Sequence, residues 1–306
     1  MRELYKERGQ DVFSVMPITF VINDGLNDHE FDKFESVFRN IEDQIKRYPA
    51  MQAQFEANLN SQEDGSSPLS PPKLMNNVWI VKPGEDTNRG SGIIVTKDFN
   101  EIKNLVRDKS SRVNKTAIIQ KYIENPLLIN KRKFDIRCYG LLTSINGHML
   151  GFFYQDGYLR TSCKEFSVQN LSNRYIHLTN DAIQKHSEDY GKFENANKLS
   201  YQDFDRYFAE FPLQDYDLRF QRDFLPQIRA MVRDTYQAAE KKIDPYRRTN
   251  TFEIFGYDFM IDDECKLKLI EVNTNPSLEV CCPLLARIIP SMLDSVFRIA
   301  IDPIFQ

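Results

Sequence analysis

The stretch Leu267-Lys268-Leu269-Ile270-Glu271-Val272-Asn273 reads as a β-strand with chemistry at its far end. Alternation with a period of two puts Leu267, Leu269, Glu271 and Asn273 on one face. An apolar face that ends in a carboxylate and an amide is costly unless both groups have partners. Thr274-Asn275-Pro276 then terminates the strand. Oxygen ligands of this kind suit a hard cation such as Mg²⁺, which takes few protein ligands and completes its shell with phosphate and water. Upstream, Phe255-Gly256-Tyr257-Asp258-Phe259-Met260 embeds Asp258 in an otherwise apolar strand, and a hairpin at Asp262-Asp263-Glu264 would bring it close to Glu271. Carboxylates that merely satisfy a loop's backbone donors give the same pattern, so the pair alone leaves both readings open.

Working outward, Lys133, Asp135 and Arg137 share one face of another strand, with Phe134, Ile136 and Cys138 on the other. Three charges on such a face suggest a charged ligand, against the plainer alternative of an exposed sheet surface. Lys82 ends the strand Asn77-Val78-Trp79-Ile80-Val81-Lys82, ahead of Asn88-Arg89-Gly90-Ser91-Gly92. A lysine neutralises phosphate charge, and glycines let backbone N–H groups approach the oxygens. The loop matches neither the P-loop nor the dinucleotide pattern, and its strand–loop–strand setting points to a flap. Gln120-Lys121-Tyr122-Ile123 could line an adenine pocket or be an ordinary edge strand. Arg160, after Gly157-Tyr158-Leu159 in a turn-then-strand context, could contact a phosphoryl group or be a surface charge. His177-Leu178-Thr179-Asn180 offers three polar side chains, or simply a helix N-terminus.

The wider pattern predicts an α+β chain with mostly antiparallel strands. Phe31, Phe34, Phe38, Ile41 and Ile45 recur at helical spacing from about Asp28 to Tyr48, with Pro49 just beyond. A Ser-, Pro-, Asn- and Gly-rich stretch at about 58–73 reads as a surface loop. Asp98 caps a helix through Val106, and Ser200 with Asp203 forms a capping box for a helix to Glu210. Further helices are expected from about Leu218 to Lys242 and from Leu284 to Ala300, and strands at Phe134–Leu142, Met149–Tyr154 and Thr251–Ile261. Residues 1–123 are expected to form one lobe and 124–306 a second, carrying the metal site.

Composition narrows the function classes. The chain has 306 residues, 41% hydrophobic, enough for a substantial core. No apolar run approaches a membrane span, and the charged start Met1-Arg2-Glu3-Leu4 is no signal peptide, which predicts a soluble intracellular protein. Cys138, Cys163 and Cys265 are scattered and Cys281-Cys282 adjacent, which suits free thiols, and the four histidines supply no zinc spacing. A net charge of −4 argues against general nucleic-acid binding. Lys131-Arg132-Lys133, Lys241-Lys242 and Arg247-Arg248 read singly as solvated basic faces.

Taken in order, Trp79-Ile80-Val81-Lys82-Pro83, Asn88–Ile93, Gln120–Leu128, Lys133–Arg137, Leu159-Arg160-Thr161, His177–Asn180, Gly256–Met260 and Glu271-Val272-Asn273 resemble the tubulin tyrosine ligase and ligase-like family of the ATP-grasp fold. The resemblance implies two lobes of mixed and antiparallel sheet clasping ATP between them. It implies that Lys82 and Lys133 bind ATP phosphates under the Arg89-Gly90-Ser91-Gly92 loop. Gln120, Lys121 and Ile123 would hold adenine, with Thr179 and Asn180 nearby on the nucleotide. Asp258, Glu271 and Asn273 would hold Mg²⁺, while Asp135, Arg137 and Arg160 face the reacting carboxylate and amino acid. The implied reaction passes phosphate from ATP to a peptide carboxylate, and an amino acid's amine then attacks the acyl phosphate. The implied partners are an acidic tubulin tail and free tyrosine, glutamate or glycine, without nucleic acid or membrane. The implied place is the cytoplasmic cytoskeleton, cilium or basal body. The family's N-terminal domain is expected to be absent. Tyr190-Gly191-Lys192-Phe193-Glu194 with Asn197 is similar to the tyrosine ligase, and Glu271–Pro276 to the glutamylases and glycylases, so the amino acid and the oligomeric state stay open. A small-molecule kinase on this fold and an inactive tubulin-binding module remain as alternatives.

Overall fold

The computed structural model describes residues 1–61, 76–84, 90, 92–107, 116–213, 216–246 and 248–305, the side chains of 57–61 excepted. The elements begin with α1 (Arg2–Glu7), β1 (Thr19–Ile22), α2 (His29–Ser61), β2 (Trp79–Pro83), β3 (Ile94–Thr96), α3 (Phe99–Arg107) and β4 (Ala117–Lys121). They continue with β5 (Leu128–Ile129), β6 (Arg132–Ile145), β7 (His148–Glu165), α4 (Arg174–His177), α5 (Asp181–Gln184), β8 (Lys198–Leu199) and α6 (Tyr201–Glu210). Last come α7 (Leu225–Ile243), β9 (Thr251–Ile261), β10 (Leu267–Asn273) and α8 (Pro283–Ala300). The α+β class stands, and every strand pairing among the described residues is antiparallel.

Two compact units emerge, Ile18–Glu124 and Met1–Pro17 with Asn125–Gln306. The smaller unit has one sheet in the order β1-β4-β2-β3. Its core face carries Phe20, Ile22, Trp79, Val81 and Ile119, covered by Phe31, Phe34, Phe38 and Ile41 of α2 and Phe99, Ile102 and Val106 of α3. Phe34 meets Trp79 edge-on at 5.0 Å, and the buried indole N–H donates to Asn77 Oδ1 at 2.7 Å. Helix α2 runs through Pro49 to Ser61 instead of stopping before it. The residues after the proline include Ala, Met, Gln and Glu, all strong helix formers, and they offset the missing donor. Of the expected loop at 58–73, residues 58–61 are therefore helical and 62–73 lie outside the described residues.

The larger unit's sheet runs β10-β9-β6-β7-β8, with β5 beside β6. One face packs Phe134, Ile136, Cys138, Leu159, Phe259 and Leu269 against α6 and α7, through residues such as Phe204 and Ile228. Part of the opposite face, with Tyr139, Leu141 and Tyr158, packs against Leu285, Ile288 and Met292 of α8. Ser200 and Asp203 do close a capping box at the start of α6. The first seventeen residues belong to this unit, not to the smaller one. Tyr5 Oη donates to Asp234 at 2.9 Å, the Leu269 N–H donates to Val15 O at 2.8 Å, and Lys268 Nζ reaches Ser14 O at 2.8 Å. Such contacts span more than two hundred residues and leave no local sequence signal.

Two further differences bear on the site. Gly157-Tyr158-Leu159 is no turn, since β7 runs on to Glu165. Gly157 serves close packing, because a Cβ there would lie 2.2 Å from Tyr201 Oη and 2.5 Å from Arg137 O. The register of β10 against β9 also shifts between Leu269 and Glu271. Leu269 faces Phe259 on the core side, but Ile270 is an extra residue, so Glu271 stands opposite Asp258. Uniform alternation would have left Glu271 on the apolar face with Leu269. The bulge turns it to the other side.

Candidate active site

The charged face of the larger sheet follows from register. Glu271, Asp258, Arg137 and Tyr158 form one row across β10, β9, β6 and β7, and Asp135, Arg160 and Lys198 form the next across β6, β7 and β8. Directly paired residues point to the same face. Arg160 forks onto Asp135 with two bonds of 2.7 Å and reaches Asp258 Oδ2 at 3.0 Å. Arg137 forks onto Asp258 at 2.5 and 3.0 Å. Thr179 Oγ1 donates to Asp135 Oδ2 at 2.5 Å, and Asn273 Nδ2 to Asp258 Oδ2 at 3.3 Å. Burial alone would raise the Asp258 carboxyl, but Arg137 and Arg160 outweigh it and hold the group below the ordinary carboxylate range. Arg137 likewise loses by burial and by repulsion from Arg160, and gains more from Asp258, so its affinity for its proton rises.

Gly256 leaves room for this network. A Cβ there would lie 2.7 Å from Pro276 and 3.4 Å from the Arg137 guanidinium. Glu271 is exposed while Asp258 is buried, so a cation would meet one open and one enclosed carboxylate. Among the described residues no three His, Cys, Asp or Glu side chains gather as a metal cluster. Two carboxylates with an amide are nevertheless a donor set that Mg²⁺ accepts, because it uses one or two carboxylates and phosphate oxygens. The donor types suit the ion, with Glu271 the open carboxylate and Asp258 held by Arg137, Arg160 and Asn273.

Lys133 Nζ donates to His177 O at 2.6 Å, tying β6 to the segment that carries Thr179 and Asn180. The His177 ring is held neutral-leaning by burial and by Lys133, against the bond to Asn170 O at 2.9 Å. Asn180 stands at the N-cap of α5, yet its side chain makes no capping bond there. Gln184 locks this segment, donating to Leu178 O and Tyr175 O and accepting from Cys163 N. Of the Lys131-Arg132-Lys133 cluster, Lys131 is exposed as a solvated basic residue and the other two are not. Arg132 is 1% exposed and ion-paired with Glu194, and Lys133 is buried against the His177 carbonyl.

Lys198 and Asp181 went unnoticed in the sequence. Lys198 is buried beside Arg160 and bonds Asp181 Oδ1 at 2.7 Å, and Tyr190 Oη donates to the same oxygen. A two-residue strand has no periodicity, so only the register reveals it.

In the smaller unit, Lys82 and Gln120 lie on the sheet face opposite the aromatic core, and both are buried. Gln120 Nε2 donates to Thr19 Oγ1 at 3.0 Å. Lys121 points the other way. Its ammonium pairs with Glu124, donates to Asn76 O at 3.0 Å and Val78 O at 3.1 Å, and stands 5.8 Å from the Trp79 ring. Ile123 is half-buried. Gly90 and Gly92 both have positive φ, +80° and +72°, as a tight glycine loop requires. Arg89 and Ser91 lie outside the described residues, as does Arg247.

A family model described as the Tubulin-tyrosine ligase family matches residues 11–306. Tubulin glycylase 3D of Tetrahymena thermophila is 36% identical over 229 residues, which cover 74% of this chain and 21% of that protein. Tubulin monoglycylase TTLL3 of Mus musculus is 33% identical over 74% of this chain and 24% of its own length. The protein named "Probable tubulin polyglutamylase TTLL2" of Homo sapiens is 35% identical over 67% of this chain and 32% of its own. The chain thus spans from about a fifth to about a third of the length of these relatives. With the whole of its charged face inside the matched residues, this chain belongs to the tubulin-tyrosine ligase family.

Proposed function

We propose that this chain carries the catalytic centre of an ATP-dependent ligase that joins an amino acid to a carboxylate of an acidic tubulin tail. The observation that carries the reading is the joint presence, on one face of β6, β7, β9 and β10, of the Asp135–Arg160–Asp258–Arg137 network and the Glu271–Asn273 pair. Phosphoryl transfer needs positioning and charge neutralisation more than covalent help. Arg137 and Arg160, held in fixed forks by two aspartates, are suited to orient a carboxylate and the phosphoryl group moving to it. Asp135 positions Arg160 and keeps Thr179 in place. Lys133 is assigned to phosphate, with Thr179 and Asn180 on the nucleotide. Lys82 of the smaller unit is assigned to phosphate, Gln120 and Ile123 with the backbone of Lys121 to adenine, since the Lys121 side chain turns away to Glu124, and Arg89-Gly90-Ser91-Gly92 to a covering flap. Asp258, Glu271 and Asn273 would hold Mg²⁺, which supplies charge neutralisation when bound. The amine of the incoming amino acid then displaces phosphate from the acyl phosphate, giving amide and free phosphate.

Glycine and glutamate come ahead of tyrosine, since proteins named as glycylases and a polyglutamylase are among the relatives. A tubulin acceptor places the protein on the cytoskeleton. No helix among the described residues is long and apolar enough to cross a membrane. The test is incorporation of labelled glycine, glutamate and tyrosine into tubulin with ATP–Mg²⁺, by wild type and Glu271→Gln. Incorporation of one amino acid by wild type alone is expected. ADP release with a phosphorylated small molecule and no amide would move the reading to a kinase. Arg160→Lys, which keeps a buried cation, should bind ATP and lose ligation, and loss of ATP binding instead would misplace Arg160.

A further inference from the structure

A pocket of about 550 Å³ opens at the end of the larger sheet, with Thr274, the residue after Asn273, in its lining. Leu142 and Ser144 of β6 pair with Glu253 and Thr251 of β9, and these residues line it with Phe255, Met149 and Ile243. Asp244, which follows the last residue of α7, also lines it. Its side chain is 6% exposed, and its Oδ2 has no hydrogen-bond partner among the described residues. Among the described residues the other oxygen meets a long 3.4 Å contact from Arg248 Nε, whose own side chain is 67% exposed. A buried carboxylate oxygen without a donor is expensive, and an enclosed anion asks for a cation. The C-terminal end of the nineteen-residue α7 adds partial negative charge at the same place.

We propose that this pocket is a second ligand site, one that takes an alkylammonium group, a primary amine on an apolar stem. The ammonium brings three donors, enough for Asp244 Oδ2 and for Glu253 or Ser144 beside it. Leu142, Met149, Ile243 and Phe255 provide the apolar wall that a stem requires and a hydrated metal ion does not. Arg248 does not fill the role, since its guanidinium stands mostly in solvent while Ser144 Oγ holds its backbone carbonyl at 2.6 Å. The site uses no residue assigned to ligation, so it stands whether or not the ligase reading does.

The experiment is an amide-resolved NMR titration of the full chain with n-butylammonium chloride, with n-butanol and KCl as controls. Butylammonium should shift the amides of Ile243, Asp244, Thr251 and Glu253, and neither control should. Asp244→Asn should weaken binding roughly tenfold or more, the equivalent of losing one charge-assisted bond. Arg248→Ala, which removes the competing guanidinium, should tighten it, and this arm decides the matter if Asp244→Asn does not fold. Equal shifts with butanol would mean an apolar crevice only. No shift with butylammonium would mean a water-filled one. Either result, or unchanged affinity in a folded Asp244→Asn, overturns the proposal.

Discussion

In the smaller unit Lys121 and Glu124 pair with each other and also serve the backbone: Lys121 donates to the carbonyls of Asn76 and Val78, and Glu124 accepts the amides of Asn76 and Val78. In the larger unit Asp135, Arg137, Arg160 and Asp258 bond chiefly to one another, with the side chains of Thr179 and Asn273 added. The first arrangement closes a loop that would otherwise leave three backbone groups without these partners, Val78 O being also held by the Tyr122 N–H, and its charges have a structural purpose. The second secures no backbone that the strands do not already secure. Buried ion pairs of this kind are often no better for stability than apolar side chains of equal volume. The sheet holds three such pairs, made by four side chains, beside Glu271, which is what the proposed ligand site would require.

The comparison can be broken most sharply at Asp258. Asp258→Ala leaves Arg137 and Arg160 short of a buried counter-charge and should cost about 3–5 kcal/mol in urea denaturation. Arg137→Met with Asp258→Leu should recover most of that loss while ligation stays absent. A double variant as unstable as the single one would make the network structural, like its counterpart in the smaller unit. Next in size, Glu124→Ala should cost about 1–3 kcal/mol, because two backbone donors and a half-buried lysine lose their acceptor.

The two arrangements should also answer pH in opposite ranges. Asp258 is pulled below its ordinary value by Arg137 and Arg160 despite burial. Its contribution is therefore present above the unfolded value near about 4 and is lost as pH falls below it. Lys121 is lowered, chiefly by burial, with Glu124 opposing. The unfolded chain then holds the extra proton between the folded value and about 10.4, so stability rises with pH through that window. Stability curves of wild type, Asp258→Asn and Lys121→Met should show each variant losing one of the two slopes. The smallest structural effect belongs to Glu271→Gln. Being exposed, it should shift stability by no more than about 0.5 kcal/mol while abolishing turnover. A large stability loss there would place Glu271 among the structural charges.

Much of this was legible along the chain. The Phe31–Phe34–Phe38–Ile41 stripe, the Ser200–Asp203 box, the hairpin after Ile261 and the charged alternation of Lys133, Asp135 and Arg137 all follow a spacing set by the element itself. Others were hidden for equally physical reasons. The extra residue at Ile270 is apolar and breaks no pattern, yet it moves Glu271 across the sheet. The seating of Met1–Pro17 on α7 and β10 depends on partners more than two hundred residues away.

The sequence by itself determined the charge types, their two-residue spacing and the strands that carry them, because those are local properties of a pleated chain. Only the tertiary structure decided that Arg160 answers to both Asp135 and Asp258, that Lys198 joins Arg160, and that Lys121 turns away from Lys82 and Gln120. Those choices depend on register between strands distant in sequence, and register exists only once the strands of each sheet lie side by side.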